Sequence, residues 1–361
     1  SLLATQNTLA VAKTRAGKST LFLRLFRYLA EDPPGCLLVV DPQHDLAWDC
    51  LGAVLREGEG RVVHLDAGDT DRPFGLNLLD AGLGWDRDKA VANTLLIFQR
   101  EFDDFWGPRM ADAFRFAAKA LYEANETLCR VDPAGGRARQ YTVLDLPALF
   151  INQAFRRDVL ALVDDREVRD WWNGHWEVSL DPRLRMETSN PVVTKINKFK
   201  ASWAARMVLG QPASTIDPRA WLRDRAIVIV DLAAGRIGED TAALLGGTII
   251  NYVKETIAAQ QAVARAERDR VTLLVDEFHM IPGADYEGLL SGQAKSGANL
   301  HLATQSLARL DMRTRDGARA LRQIVFDNVR GLFAFHTSAE NAAYLIPELG
   351  GEAEVDVEDL V

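Results

Sequence analysis

Two textures of hydrophobic patterning alternate along the chain. In the first, short apolar runs occupy residues 9–11, 36–40, 62–65, 226–231, 271–275, 300–304 and 332–335, several of them closing on an acid or another polar residue. A run that is apolar at every position suits a strand buried on both faces, as in a parallel sheet. Stretches with helical spacing separate the runs: Leu21, Leu25, Phe26 and Leu29 follow the first, and a long helix over about 240–261 follows the fourth. Strand alternating with helix predicts the α/β class, with a mostly parallel central sheet covered on both faces.

The second texture fills residues 85–206, where β-branched runs vanish. Val91, Leu95, Leu96 and Phe98 keep helical spacing, as do Phe114, Phe116, Ala117 and Leu121. Thr142-Val143-Leu144-Asp145 has capping-box spacing before another helix, with Asp in the place of Glu or Gln. Trp85, Trp106, Trp171, Trp172, Trp176 and Trp203 all fall here and are expected to pack a helical core. Residues 131–140, with Pro133, two glycines and two arginines, read as an exposed loop. Sheet elements lie on both sides of this block. The predicted organisation is therefore one α/β domain in two parts, 1–84 and 207–361, with an all-helical domain over 85–206 inserted after the third strand.

Composition adds limits. Of 361 residues, 48% are hydrophobic and 26% charged, which is ordinary for a folded globular chain. Cys36, Cys50 and Cys129 have no paired or metal-like spacing and are expected as buried thiols; the histidines form no zinc pattern. The net charge of −9 argues against a broad DNA-binding outer surface, and is compatible with DNA in a pore lined by a few basic loops. No run reaches the roughly 18 apolar residues of a membrane helix. The chain meets its first core strand almost at once, which leads us to expect that an N-terminal segment is missing; the acidic end also reads as a cut.

Chemistry enters at the ends of the strands. Ala12-Lys13-Thr14-Arg15-Ala16-Gly17-Lys18-Ser19 fits the phosphate-loop pattern with Ala for its first Gly, between a strand and a helix that opens Ser19-Thr20. In such a loop, backbone N–H groups and a helix N-terminus cradle phosphates, the lysine reaches the β and γ phosphates, and the hydroxyl holds Mg²⁺. Ala12 to Thr20 are thus the candidate ATP-binding residues. Leu273-Leu274-Val275-Asp276-Glu277 is an apolar strand ending in two acids, with Asp276 suited to the Mg²⁺ shell beside Ser19 and Glu277 to activation of water. Gln305, at the tip of the next strand, suits sensing of the γ-phosphate. Lys18, Glu277 and Gln305 are the candidate catalytic set, and ATP and Mg²⁺ the implied ligands. Asp41-Pro42-Gln43-His44-Asp45-Leu46 reads as a turn and helix start with Asp45 as cap. Leu289-Leu290-Ser291-Gly292-Gln293 resembles a transporter-ATPase signature, but follows the acidic strand where that signature precedes it, and reads as helix surface.

As an ordered set these motifs resemble the HerA–FtsK superfamily, and within it the TraG/TraD-like coupling ATPases of conjugation and type IV secretion. The matching segments are 13–19 and 41–46, then Gly75-Leu76-Asn77-Leu78 and Phe105-Trp106-Gly107-Pro108-Arg109-Met110. Gly235-Arg236-Ile237-Gly238-Glu239, Asp276-Glu277-Phe278, Ala303-Thr304-Gln305-Ser306 and Asn328-Val329 complete the set. The resemblance implies a RecA-like motor domain with an inserted all-α domain. It also implies a homohexamer around single- or double-stranded DNA, and ATP between neighbouring subunits. Partners would be secretion-channel components or a relaxase-type protein. The location would be cytoplasmic, at the inner face of the inner membrane through segments absent from this chain. Two departures stand out: Gln43-His44 replaces the family's His-Gly, and Ala294-Lys295 replaces Arg-Lys after the acidic strand. Arg313, Arg315, Arg319, Arg322 and Arg330 are substitute candidates for an arginine acting across subunits. Two other functions fit the sequence. One is a HerA-like double-strand DNA translocase in end processing or phage defence. The other is a nucleotide-dependent docking module with little hydrolysis.

Overall fold

The computed structural model describes residues 6–361 apart from 34, 58–60, 103–105, 263, 265–266, 293–296, 312–320 and 352–356. The chain forms two compact units, Ser1–Asp66 with Pro218–Val361, and Ala67–Asp217.

In the first unit the apolar runs become seven strands: β1 Thr8–Val11, β2 Cys36–Asp41, β3 Val62–Asp66, β4 Ile227–Asp231, β5 Val271–Val275, β6 Ala298–Thr304 and β7 Gly331–Ala334. They form one sheet in the order β3-β4-β2-β5-β6-β1-β7, every pair parallel. Helices α1 (Lys18–Glu31) and α2 (Asp45–Glu57) cover one face. There Phe22, Phe26 and Leu29 pack with Leu37, Val39, Ile229 and Leu274. The helix Glu239–Ala259 buries residues around most of its circumference, as a helix enclosed by its own domain must. In a parallel sheet all strands end at one edge, so the loops after β1, β2, β5 and β6 meet there.

The second unit contains helices, turns and loops and, among its described residues, no strand. Its principal helices are α3 (Arg87–Glu101), α4 (Pro108–Val131) and Pro182–Ala201. Phe98 packs on Phe114 and Phe199, with ring centroids 5.2 and 5.8 Å away. Trp172 and Trp176 are buried beside Phe150, on a π-helical segment Trp171–Ser179. Trp203, by contrast, is 58% exposed, so it is not the core residue the patterning suggests.

Residues 67–84 and 207–217 lie with the helical unit for a visible reason. Asn77 is fully buried; its Nδ2 donates to the carbonyls of Tyr141 (3.1 Å) and Pro212 (2.7 Å), and its Oδ1 accepts from Leu79 N–H (2.9 Å). Asp80 accepts from Ser214 N–H (2.7 Å), Gln140 Nε2 (2.7 Å) and Arg137 Nη2 (2.9 Å). The same bonds refine the reading of 131–140 as an exposed loop: Val131, Pro133, Ala134, Ala138 and Arg139 are exposed, but the stretch contains a 3₁₀ turn, Gly136–Arg139, and Gly136 and Gln140 are buried. The Thr142–Asp145 capping box is present and opens a 3₁₀ turn that leads into the helix Leu146–Ile151. The stretch read as helix surface at 289–293 is a π-helical turn, Gly288–Gly292, with Leu289 and Leu290 buried; Gln293 lies outside the described residues.

Candidate functional site

The loop from Ala12 to Thr20 runs from the end of β1 into α1. Ala12 is buried and its N–H donates to Thr304 O at the tip of β6 (3.3 Å); Lys13 N–H donates to His336 O (2.9 Å). Lys13, Thr14 and Arg15 are exposed, and Arg15 has φ 65°. Ala16 N–H closes the turn on Lys13 O (3.2 Å). Gly17 is the N-cap of α1, with φ 102° and no side chain to occupy the first-turn N–H groups. A helix leaves those donors without intrahelical partners, so they and the helix dipole form an anion cradle here. Ser19 and Thr20 present exposed hydroxyls in that turn.

Lys18 turns inward and is only 6% exposed. Its Nζ donates to Glu277 Oε1 and lies 2.9 Å from Asp276 Oδ1. Burial lowers the Lys18 pKa, opposed by the Asp276 charge, and burial raises that of Asp276, opposed by Lys18. Asp276 also accepts Glu277 N–H (2.9 Å). Glu277 sits in the left-handed region at φ 38°, a costly backbone for a non-glycine residue that the surrounding contacts must hold.

β6 lies between β5 and β1, so Gln305, which follows its last residue, stands between the acids and the phosphate loop. Gln305 N–H donates to Glu277 Oε2 (3.1 Å), and Thr14 Oγ1 donates to Gln305 Oε1 (2.7 Å). Lys18, Asp276, Glu277, Gln305 and Thr14 thus form one connected polar group. Ser19 and Asp276, the two expected metal ligands, are not hydrogen-bonded to each other in this state. Two buried carboxylates sharing one ammonium fit a site that takes a divalent cation once phosphates draw the lysine away. Serine and carboxylate oxygens are the hard donors Mg²⁺ prefers.

Residues to which the sequence analysis gave no part in the site adjoin this group. His279, two positions beyond Glu277, has its Nδ1 3.0 Å from Thr304 Oγ1 and 3.4 Å from Glu277 Oε2. Burial, then the charges of Arg309 and Lys18, push its pKa down to about 4. Asp41 is buried at the end of β2, where burial raises its pKa. It accepts from Gln43 N–H (2.8 Å) and Ala47 N–H (2.9 Å). Asp41 therefore serves the turn as the cap that Asp45 was expected to be, because α2 already includes Asp45. His44, where the resembling family has Gly, takes φ 94° and bonds Asp231 through Nδ1. Arg236 pairs with Asp66 (2.7 Å) beside them. The signal for this edge cluster was present as three strands each closing on Asp, and it needed the register Asp41↔Asp231↔Asp66 to be read.

Ala294 and Lys295, with Arg313, Arg315 and Arg319, lie outside the described residues, as does Phe105. Arg322 bonds Asp311 (3.1 Å) and lies over the Tyr344 ring, 3.7 Å from its centroid. Among the described residues no helix is long and apolar enough to cross a membrane.

No family model and no curated protein matches the chain. Solved structures do. The bacterial conjugative coupling protein TrwBdeltaN70, in a trigonal form with sulphate, superposes with a TM-score of 0.63 at 15% identity, covering 96% of this chain and 74% of that one. The plasmid coupling protein TrwB in complex with ADP and Mg²⁺ gives 0.60 at 16% identity over 91% of this chain and 70% of that one. VirB4 of Thermoanaerobacter pseudethanolicus gives 0.61 at 14% identity over 96% and 81%. Likeness at these identities is likeness of fold: the chain has the RecA-like P-loop fold of these proteins.

Proposed function

We propose that this protein is an ATP-hydrolysing coupling ATPase that moves DNA, or a nucleoprotein substrate, towards a type IV secretion channel. The observation that carries the reading is the convergence of Lys18, Asp276, Glu277 and Gln305 at one edge of the sheet, beside a bare helix N-terminus. Similarity to a conjugative coupling protein with ADP and Mg²⁺ supports the choice of ligand and of task. The protein would work as a homohexamer with DNA in its pore, on the cytoplasmic side of the inner membrane. The unit Ala67–Asp217 would be the inserted all-α domain, available to a relaxase-type or channel partner.

In this reading the first-turn N–H groups of α1 and Lys18 bind the phosphates. Ser19 and Asp276 would hold Mg²⁺, which would supply neutralisation of phosphate charge. Lys18, drawn to the phosphates, releases Glu277 Oε1 to accept a proton from the attacking water. Gln305 fixes the other oxygen of Glu277 through its N–H and accepts from Thr14 of the phosphate loop through Oε1.

The test is the ATPase rate with and without single- and double-stranded DNA, beside Lys18→Ala and Glu277→Gln. DNA-stimulated turnover abolished by both substitutions is expected. General-base catalysis contributes about 10²–10⁴-fold, so Glu277→Gln should lower kcat by at least ~100-fold while nucleotide still binds. Tight ATP binding with no turnover on any DNA would overturn the motor and leave a docking module.

A further inference from the structure

Glu277 is the residue in the site whose position needs most explanation. Its backbone is left-handed, at φ 38°, and its side chain is 1% exposed. Lys18 holds Oε1, and that bond must break when phosphate arrives. Oε2 is held independently by Gln305 N–H (3.1 Å), with His279 Nδ1 3.4 Å away.

The protonation of His279 follows from its neighbours. Arg309 has only N–H donors, and its Nη1 lies 3.1 Å from His279 Nε2, so Nε2 is the acceptor nitrogen. Thr304 Oγ1 donates its single proton to Ser306 O (3.2 Å), so towards His279 Nδ1, 3.0 Å away, it can only accept. Both neighbours require the same neutral tautomer, with the proton on Nδ1. That proton is donated to the Thr304 hydroxyl, and Glu277 Oε2 stands 3.4 Å from the same nitrogen, close to the N–H dipole without a hydrogen bond to it. His279 is mostly enclosed, with 7% of its side chain exposed, whereas Arg309 is at the surface.

We propose that His279 is a positioning residue for Glu277: Arg309 fixes its Nδ1–H tautomer, and that N–H holds the carboxylate in line for water after Lys18 has moved to the phosphates. The role rests on the ATPase reading above. Without the Nδ1–H dipole beside it, Glu277 Oε2 keeps the bond from Gln305 N–H and gains room to turn about its own side-chain bonds. A base displaced by about 1 Å costs on the order of 100-fold in rate, so replacing His279 should act on kcat and leave nucleotide affinity in place.

The experiment uses the full chain in two arms. In the first, ¹⁵N-histidine spectra are recorded without nucleotide, the His279 signals being assigned by their loss in His279→Asn. One protonated Nδ1 and one unprotonated Nε2 are expected, and Arg309→Gln should shift the population towards Nε2–H. In the second, kcat, KM and the affinity for a non-hydrolysable ATP analogue are compared for wild type, His279→Leu and His279→Asn. His279→Leu should lower kcat by about tenfold or more, with analogue affinity within about twofold. His279→Asn, whose amide N–H can stand near the Nδ1–H, should recover most of the loss. An Nε2–H tautomer in the wild type overturns the proposal. So does an unchanged kcat in His279→Leu, and so does a parallel fall of affinity, kcat and melting temperature that Asn does not rescue. If the wild type binds ATP but turns none over, the ATPase reading fails and the proposal falls with it. An active wild type with an indifferent His279→Leu overturns the positioning role alone.

Discussion

At Lys18 one ammonium group faces two carboxylates, all three nearly excluded from water. Each acid is tolerated there because the cation is present, and the cation because the acids are. Removing one member of such a buried group is costly, since it leaves charge without a partner. Lys18→Met should therefore destabilise the nucleotide-free protein by about 3 kcal/mol, and adding Asp276→Asn should return part of that loss. Urea unfolding of the two variants beside wild type measures both; a neutral Lys18→Met would mean that the acids are balanced by something else. The reactive residues were legible one at a time, as a phosphate loop and an acidic strand end. Their mutual neutralisation was not, because residues 18 and 277 lie 259 positions apart.

At the scale of elements, the informative cases are short polar segments that work as joints. Gly75-Leu76-Asn77-Leu78 carried only a family resemblance in the sequence. In the fold it is a staple: Asn77 bonds three backbone groups, and a Cβ on Gly75 would lie 2.6 Å from the Ala213 carbonyl oxygen. Asn77→Ala leaves those groups buried and without the amide, and should cost about 3 kcal/mol. Thermal or denaturant unfolding is the measurement, and a loss under about 1 kcal/mol would mean that water replaces the amide. Apolar strands were read to within a residue or two, most clearly β2 and β4, where burial on both faces leaves a run with no polar member before the closing Asp. The exposed loop 131–140 was legible except at its buried members such as Gln140, because a polar residue facing a buried partner looks, in sequence, like one facing solvent.

For the molecule as a whole, acid should be damaging. His301, inside β6, is fully buried; its Nδ1 meets Thr8 Oγ1 (2.8 Å), and its Nε2 is buried with no partner among the described residues. Burial lowers its pKa to about 4, from an ordinary value of 6.5, and His279 is lowered to about 4 as well. In the unfolded chain these rings take up protons near pH 6.5, and in the folded chain only near pH 4. The unfolded state therefore binds more protons between those limits, and stability falls as pH falls through that window. Each ring should remove on the order of 2 kcal/mol between pH 7 and pH 5. Melting curves across that range test this, and His301→Asn should flatten the dependence. A wild-type profile that is level between pH 7 and pH 5 would show that these rings do not titrate as described.

The sequence by itself determined the chemistry available to this protein and the class of its fold. Period and run length say which segments are strands and helices, and the phosphate-loop pattern between a strand and an apolar helix points to a loop with free N–H groups at a helix start. Tertiary structure decided adjacency. β6 follows the acidic strand in the chain, yet only the sheet order places Gln305 between Glu277 and the phosphate loop. Only the packing brings Arg309, His279 and Thr304 into one chain of hydrogen bonds, and only register lines up Asp41, Asp231 and Asp66. The physical reason is the same in each case. Local patterning is set by which side of an element is buried, whereas a site is set by which strand ends share an edge, and that is a property of the closed fold.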